Sequence, residues 1–341
     1  MSSSSPDVVL TATWSELNTT HHKTNVPRSS HTLAVLADHA YIFGGEIIPR
    51  IPVDNIIYVY NLTAQHWENP IEPVGDAPSP RVGATSAVLS GFIYVFGGRG
   101  GKDMTPLVSD IYQFDPKTRR WSIIRPANES APVPEPRSFH GMTASETHLY
   151  VFAGCPISGR LNDLWSFNPL SRVWTQLAFP DVSARGGPGI TYADGKLWLF
   201  GGFNGNELDD LRTYSIATDV WSSPTVLTSS RPPARSVHGL VHLGDSRLVT
   251  LYGEKDPSLV GHEGAGKFWD DIWVLDIHEG GQKVEWRQVT IDGAAGSGGH
   301  VVKPKDRGWF QAVAWKGKVV LSGGLDVDNG RLGDLFVLDV V

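Results

Sequence analysis

Short runs of apolar and β-branched residues that end in one or two glycines recur along the whole chain. The six runs read YIFGG, IYVFGG, LYVFAG, LWLFGG, VTLYG and VVLSGG, and they begin at residues 41, 93, 149, 197, 249 and 319. Such runs, bounded by glycine, predict β-strands. Their regular recurrence predicts a fold that is built from internal repeats.

A second strand-like run follows each glycine-terminated run, and a tryptophan follows the second run in all units but the last. The second runs read NIIYVYN, DIYQFD, DLWSFN, DLRTYS, DIWVLD and DLFVLD, and the tryptophans are Trp67, Trp121, Trp174, Trp221 and Trp286. The sixth unit reaches Val341 without a tryptophan. We therefore expect Trp14, in the segment ATWSELN, to lie in the last strand of the sixth unit and to close the ring.

A repeat of roughly 50 residues with a glycine pair, an aromatic residue and a tryptophan is the kelch pattern, in which each unit is a four-stranded blade of a β-propeller. The sequence therefore predicts an all-β fold, a six-bladed kelch β-propeller closed by an N-terminal strand. No blade can bury both of its faces alone. We expect residues 9–341 to form a single domain and residues 1–8 to be a disordered N-terminus.

Composition and charge exclude several classes of function. The formal charge is -7 without a cluster of lysine or arginine, so we expect neither nucleic acid nor an anionic membrane surface as a partner. The single cysteine, Cys155, cannot form an intramolecular disulfide. The first residues have neither the basic region nor the apolar run of a signal peptide, and we expect a cytoplasmic protein.

An arginine precedes the first strand of every unit, and a histidine follows it closely in three units. A guanidinium group with five donors can hold loop carbonyl groups around a ring, so a structural role is the simpler reading for a residue found in every repeat. The same reading applies to the histidines. The residues are Arg28, Arg81, Arg137, Arg185, Arg235 and Arg307, with His31, His140 and His238.

The residue after the glycine pair differs from unit to unit. Because a propeller gathers equivalent loops around its axis, we expect these residues to surround one mouth of the channel. Their mixture of charged and apolar side chains suits a small anionic or amphipathic ligand, and it makes Glu46 a candidate for substrate binding. The residues are Glu46, Arg99, Cys155, Phe203, Glu254 and Leu325.

The fifth unit is longer than the others, and two loops hold much of the excess, YGEKDPSLVGHEGAGK and DGAAGSGGHVVKPKD. Long loops within a compact fold are often functional. The first loop places Glu254, Ser258 and His262 at intervals of four residues. Two readings are open for it, a metal site and a solvated loop.

Several motifs together resemble the plant specifier proteins, which comprise nitrile-specifier, epithiospecifier and thiocyanate-forming proteins. The motifs are PRSSH and FGGE in unit one, IYVFGGR in unit two, RSFHGM and HLYVFAG in unit three, RGGPGI in unit four, GEKDPSLVGHEGAG in unit five and RGW in unit six. The resemblance covers nearly the whole chain. It implies action on the unstable aglucone that is released from glucosinolates, which these proteins divert to nitriles, epithionitriles or thiocyanates.

The resemblance also implies an iron(II) site with the pattern Glu-xxx-Asp-xxx-His. Carried over to this chain, the metal residues are Glu254, Ser258 and His262, with serine in the position of the aspartate. A neutral hydroxyl group is a poor ligand for iron(II) compared with a carboxylate. We therefore expect iron(II) to be bound weakly, with Asp256 or Glu263 as alternative carboxylate ligands.

The resemblance places further functional residues on this chain. It implies Arg99 and Arg160 as the catalytic arginines that pair with a sulfate or thiolate group. It implies Phe139 and Trp309 as the aromatic residues that enclose the substrate.

Three functions follow as hypotheses. The first is an iron(II)-assisted lyase or isomerase that steers the breakdown of a small reactive substrate such as a glucosinolate aglucone. The second is an enzyme of specialised metabolism that has the same scaffold and acts on another substrate. The third is a non-catalytic kelch module for protein interaction, which is less favoured because such adaptors usually have an added domain. We also expect that the protein can form a homodimer.

Overall fold

The computed structural model describes residues 10–17, 27–107, 109–292 and 302–341. In these ranges the chain forms β-strands and two single 3₁₀ turns, Gly261–Glu263 and Glu279–Gly281. None of the described segments is a helix long and apolar enough to cross a membrane.

The strands form six antiparallel blades, which confirms the predicted six-bladed propeller. The first strands of neighbouring blades contact each other in chain order, and the first and last blades also meet, so the ring is closed. Blades one to three consist of Thr32–Leu36, His39–Phe43, Ile57–Asn61 and His66–Trp67; Thr85–Leu89, Phe92–Phe96, Ile111–Asp115 and Arg120–Ile124; and Gly141–Ala144, Leu149–Gly154, Leu161–Asn168 and Val173–Gln176. Blades four to six consist of Gly189–Ala193, Lys196–Phe200, Leu211–Ser215 and Val220–Ser222; Gly239–Gly244, Arg247–Leu251, Ile272–His278 and Lys283–Gln288; and Gln311–Trp315, Lys318–Asp326, Arg331–Val340 and Thr11–Glu16.

Shorter strands extend the blades or form hairpins in their loops. Thr225–Val226 and Thr290–Ile291 add parallel strands to the outer edges of blades five and six. The loop hairpins are Glu46–Ile48 with Ile51–Pro52, Arg99–Gly100 with Thr105–Pro106, and Glu254–Asp256 with Lys267–Phe268, and Arg307–Gly308 extends blade six.

The N-terminal strand closes the ring as the sequence predicted. Trp14 lies opposite Leu338 in an antiparallel pairing of Thr11–Glu16 with Arg331–Val340. Its ring lies 6.0 Å from that of Tyr252 in blade five and 5.9 Å from that of Phe336 in blade six. Residues 1–9 lie outside the described residues, so the disordered segment 1–8 and the domain boundaries 9–341 stay predictions.

The repeated tryptophans fill the spaces between blades. Trp121 of blade two packs 5.5 Å from Phe43 of blade one, and Trp174 of blade three packs 5.5 Å from Phe96 of blade two. These large rings therefore link neighbouring sheets, because aromatic side chains bury more area than other side chains.

The six repeated arginines are structural, as the sequence indicated. All are at most 3% exposed, and the Nη1 of each donates to a carbonyl oxygen at the end of the second strand of its own blade, at 2.9 Å. Four of them also form paired contacts with an aspartate of the third strand or of the loop before it, Asp163, Asp210, Asp271 or Asp334.

The three repeated histidines are buried among apolar side chains. The rings of His140 and His238 lie 5.3 Å and 5.6 Å from Phe96 and Phe200. Burial, followed by the charge of the neighbouring arginine, lowers the pKa of His31 and His140 to about 3 and that of His238 well below its ordinary value. These residues are therefore uncharged parts of the core.

Candidate functional site

A ring of backbone hydrogen bonds surrounds the propeller axis near one mouth. Its members lie two residues after each repeated arginine, and all have positive φ angles of 44° to 66°. The N–H of each member donates to the carbonyl oxygen of the member in the preceding blade, at 2.8–3.1 Å, and the sixth bond closes the circle. The members are Ser30, Gly83, Phe139, Gly187, Val237 and Trp309.

This ring is the floor of a cavity. Phe139, Val237 and Trp309 line both the cavity on one side and the axial channel on the other. Their left-handed backbone conformation costs about 1–3 kcal/mol for each residue that is not glycine. In return, the conformation places large side chains over the axis.

The cavity has a volume of about 240 Å³ and is formed by loops of blades one, three, four, five and six. Each residue after a glycine pair pairs with the residue after the repeated arginine, and five of the six, all except Arg99, line the cavity. These six residues therefore lie at one mouth of the propeller. Other cavity residues come from the loop Pro257–Gly264, which lies over one side.

Seven of the eight candidate residues line this cavity, and the structure thus brings together positions that are far apart in sequence. They are Glu46, Phe139, Arg160, Glu254, Ser258, His262 and Trp309.

Arg99 is the exception. It lies at the same mouth, but its Nε donates to Ser138 Oγ at 2.6 Å and its Nη2 donates to the Pro156 carbonyl oxygen at 2.7 Å. These bonds direct the guanidinium group towards blade three, and Arg99 is not among the cavity-lining residues. Its placement is that of a residue that supports the loop carrying Arg160.

Arg160 lines the cavity directly. Its guanidinium carbon lies 4.7 Å from the centre of the Phe203 ring, a cation–π contact. In the described part of the chain it forms no ion pair with a carboxylate within 4.0 Å. The cation is therefore available to a ligand.

Glu254 lies beside a second carboxyl group, Glu207, that the sequence motifs did not indicate. Burial, followed by the charge of Glu207, raises the pKa of Glu254 to about 8. Burial also raises the pKa of Glu207 to about 7, although nearby Ser236 and Arg160 oppose the shift. Only proximity in the fold reveals this pair, because Glu207 belongs to blade four.

His262 and Ser258 have local partners. The imidazole ring of His262 stacks on Phe139 at 5.4 Å and meets Trp309 edge-on at 5.4 Å. Burial, followed by the charges of Arg99, Arg50 and Arg160, lowers its pKa. Ser258 Oγ accepts a hydrogen bond from the Val260 N–H at 3.2 Å.

As placed, these residues do not fit iron(II). Among the residues that the structure describes, no group of three or more histidine, cysteine, aspartate or glutamate side chains could hold a metal ion. Ser258 adds only a neutral hydroxyl group, which is already bonded within its own turn. We therefore derive no chemical step from a metal.

Arg331 is a cavity residue that the sequence reasoning missed. Its side chain is 4% exposed, and its Nη2 lies 3.3 Å from Glu46 Oε1. Its Nη1 donates to the carbonyl and side-chain oxygens of Asn329, and Asn329 Nδ2 donates to the Glu263 carbonyl oxygen at 3.0 Å. These bonds link blades one and six to the loop that covers the cavity.

A sequence signal for Arg331 does exist. The segment GRLNDL contains Arg160, and the segment GRLGDL contains Arg331. The two arginines therefore occupy equivalent positions in blades three and six.

Comparison with known proteins defines the class of this protein. The model of the KLHDC2/KLHL20/DRC7 Kelch-repeats domain matches residues 30–253. The chain therefore belongs to this kelch family.

Individual relatives extend this result. The chain is 29% identical over 358 aligned residues to N-(sulfonatooxy)prop-2-enimidothioate sulfolyase of Thlaspi arvense. The alignment covers 96% of this chain and 97% of that protein. It is 27% identical to Kelch domain-containing protein 10 of Xenopus laevis over 62% of this chain and 53% of that protein. The first relative confirms, over 96% of the chain, the resemblance that the motifs indicated.

A solved structure described as the structure of YjhT has the same architecture. It matches with a TM-score of 0.69 and 18% identity, over 93% of this chain and 98% of that chain. At this identity the likeness shows the fold alone.

Proposed function

We propose that this protein is a lyase or isomerase that steers the breakdown of a small sulfated substrate such as a glucosinolate aglucone. The observation that carries the proposal is the similarity to a sulfolyase along 96% of the chain. The cavity supports it, because several aromatic rings and Arg160, which forms no ion pair within 4.0 Å among the described residues, line the same small space.

The reaction class needs no outside oxidant. In a substrate with a C(–S⁻)=N–O–SO₃⁻ group, the N–O bond breaks and its electron pair leaves with sulfate. The C–S bond breaks in the route to a nitrile, and the sulfur that is released has lost the two electrons that the N–O cleavage consumes. In the route to an isothiocyanate, the side chain migrates from carbon to nitrogen and the sulfur is retained.

The residues of this chain contribute binding and charge. Arg160 holds the sulfate group and stabilises the negative charge that it gains as the N–O bond breaks. Phe139 and Trp309 enclose the side chain of the substrate and exclude water from the reacting group. The enclosed geometry favours one breakdown route over the other.

The test is an analysis of products from a glucosinolate treated with myrosinase, with and without the purified protein. We expect the protein to change the ratio of nitrile or thiocyanate to isothiocyanate. Arg160→Gln should reduce this change about tenfold or more, because a charge-assisted hydrogen bond contributes about 1.5–3 kcal/mol.

The matched control is Arg125→Gln, which removes an exposed arginine beyond the outer strand of blade two. It should behave as the unchanged protein does. A product ratio that does not respond to the protein at any concentration contradicts the proposal. A response to other sulfated or oxime-derived substrates would instead support an enzyme with the same scaffold and another substrate.

A second candidate function is a binding module for another protein. The loops of the cavity mouth carry apolar side chains that are exposed by 44% to 103%, namely Ile47, Ile48, Ile51, Ile157, Leu259, Val260 and Val327. Exposed apolar patches with a polar rim often mark interaction surfaces. The same product analysis separates the two candidates, because a binding module leaves the product ratio unchanged.

A further inference from the structure

The cavity has two arginines that are related by the propeller repeat. Arg160 and Arg331 lie in the matching segments GRLNDL and GRLGDL, three residues before Asp163 and Asp334. Each of these aspartates pairs with the repeated arginine of its own blade, at 2.5 Å and 2.6 Å. Both cavity arginines therefore lie at the start of a third strand that is anchored by the same kind of aspartate–arginine pair.

The two arginines face the cavity from opposite sides. The six blades follow each other in a closed ring, so blades three and six lie across the axis from each other. Both side chains line the same cavity. Phe139 and Trp309 line the same cavity with their rings 5.3 Å apart, and the His262 ring stacks on Phe139.

Arg331 keeps a donor without a partner. Its side chain is 4% exposed, yet among the described residues its Nε has no hydrogen-bond partner. An unsatisfied buried donor costs about 1–3 kcal/mol. A ligand oxygen in the cavity would remove this cost.

Glu46 holds Arg331 in position and leaves it able to bind an anion. One Glu46 oxygen lies 3.3 Å from Arg331 Nη2, while the other accepts the Arg50 N–H. Burial raises the pKa of Glu46, whereas the Arg50 N–H and the charge of Arg331 oppose this shift.

We propose that Arg160 and Arg331 form a two-point site for a small dianion, with one anionic group held by each arginine and an apolar segment against Phe139 and Trp309. This site deepens the proposed function, on which its link to catalysis rests, and it identifies the substrate class as a molecule with two separated negative groups. Arg331 is thus a residue that determines specificity.

The test compares two inert probes by calorimetric titration at low ionic strength. Propane-1,3-disulfonate has two anionic groups, and propane-1-sulfonate has one. We expect the disulfonate to bind at least about ten times more tightly than the monosulfonate, because each additional charge-assisted contact contributes about 1.4 kcal/mol or more. Arg160→Gln and Arg331→Gln should each reduce this preference to less than about threefold.

The matched control is Arg125→Gln, which removes an exposed arginine that does not line the cavity. It should keep the preference for the disulfonate. If Arg331→Gln fails to fold, Arg331→Lys takes its place, since it keeps the charge but loses the Nε donor. We expect its preference for the disulfonate to lie between that of the unchanged protein and that of Arg160→Gln.

A preference that survives Arg331→Gln overturns the two-point site, and so does an unchanged protein that binds neither probe or binds both equally. These results are independent of the product analysis. A protein with the disulfonate preference but no effect on glucosinolate products would keep this site and overturn the proposed reaction.

Discussion

At the scale of single residues, one side chain of the loop 254–262 decides whether this loop is a metal site or a solvated loop. Ser258 stands where the resembling family has aspartate, and its hydroxyl accepts the Val260 N–H. Glu254 faces the carboxyl group of Glu207, and His262 packs against two aromatic rings. Of the three carried-over metal positions, only Glu254 and His262 therefore offer a carboxyl group and an imidazole, and Asp256, the alternative carboxylate, pairs with Lys267 at 3.2 Å.

Ser258→Asp supplies that donor. We expect the unchanged protein to be poor in metal, and the variant to bind iron(II) at least about tenfold more tightly, roughly 1.4 kcal/mol, because a charged oxygen joins Glu254 and His262. An anaerobic iron(II) titration of both proteins measures the difference.

Ser258→Ala is the control, since it removes the hydroxyl group without adding charge, and it should bind no better than the unchanged protein. Equal affinity of Ser258→Asp and Ser258→Ala would mean that this loop is not a metal site.

At the scale of elements, the strand Thr11–Glu16 joins the two ends of the chain. Alternate residues of this strand, Ala12 and Trp14, are buried, whereas Thr13 and Ser15 are exposed. The buried face packs into the cluster shared by blades five and six. The strand thus closes the ring by both backbone pairing and side-chain burial.

Trp14→Ala should destabilise the protein by about 3–5 kcal/mol, because it leaves a cavity the size of an indole ring between two blades. Thr13→Ala, on the exposed face of the same strand, should change the stability by less than about 0.5 kcal/mol. Urea denaturation followed by tryptophan fluorescence and circular dichroism measures both. Similar losses for the two variants would show that backbone pairing alone closes the ring.

At the scale of the whole molecule, the three buried histidines in blades one, three and five make the fold sensitive to acid. Burial and the charges of Arg28, Arg137 and Arg235 keep them neutral in the folded state. In the unfolded chain each would titrate near its ordinary pKa of about 6.5. The unfolded state therefore binds more protons below that pH.

The three histidines should consequently lower the free energy of unfolding as the pH falls from 7 to 5.5, whereas Glu254 and Glu207, whose pKa values are raised by burial in the folded state, oppose this fall over the same range. The contribution of the histidines to the slope has a limit of about 1.4 kcal/mol per pH unit for each residue, or about 4 kcal/mol per pH unit for the three, and it is approached below their unfolded pKa. Urea denaturation over this range measures the slope. His140→Gln should lower the slope by up to about 1.4 kcal/mol per pH unit, whereas His66→Gln, at an exposed site, should leave it unchanged.

The sequence by itself determined the repeat architecture. Six glycine-terminated strands and five downstream tryptophans were enough to predict six blades and to assign Trp14 to the sixth, because a ring of identical units must be closed by equivalent strands. The structural role of the repeated arginines followed from the same logic. So did the common mouth of Glu46, Phe203 and Glu254, since equivalent loops meet at the axis.

Only the tertiary structure decided which of these loop residues reach the cavity. Arg99 follows a glycine pair as Glu254 does, yet Ser138 and the Pro156 carbonyl group of the next blade draw its guanidinium group aside. Glu207 became relevant because blade four places it beside Glu254. Arg331 faces Arg160 because their blades lie across the axis from each other. The sequence shows how often a motif recurs, but it does not show which side chains face each other across the ring.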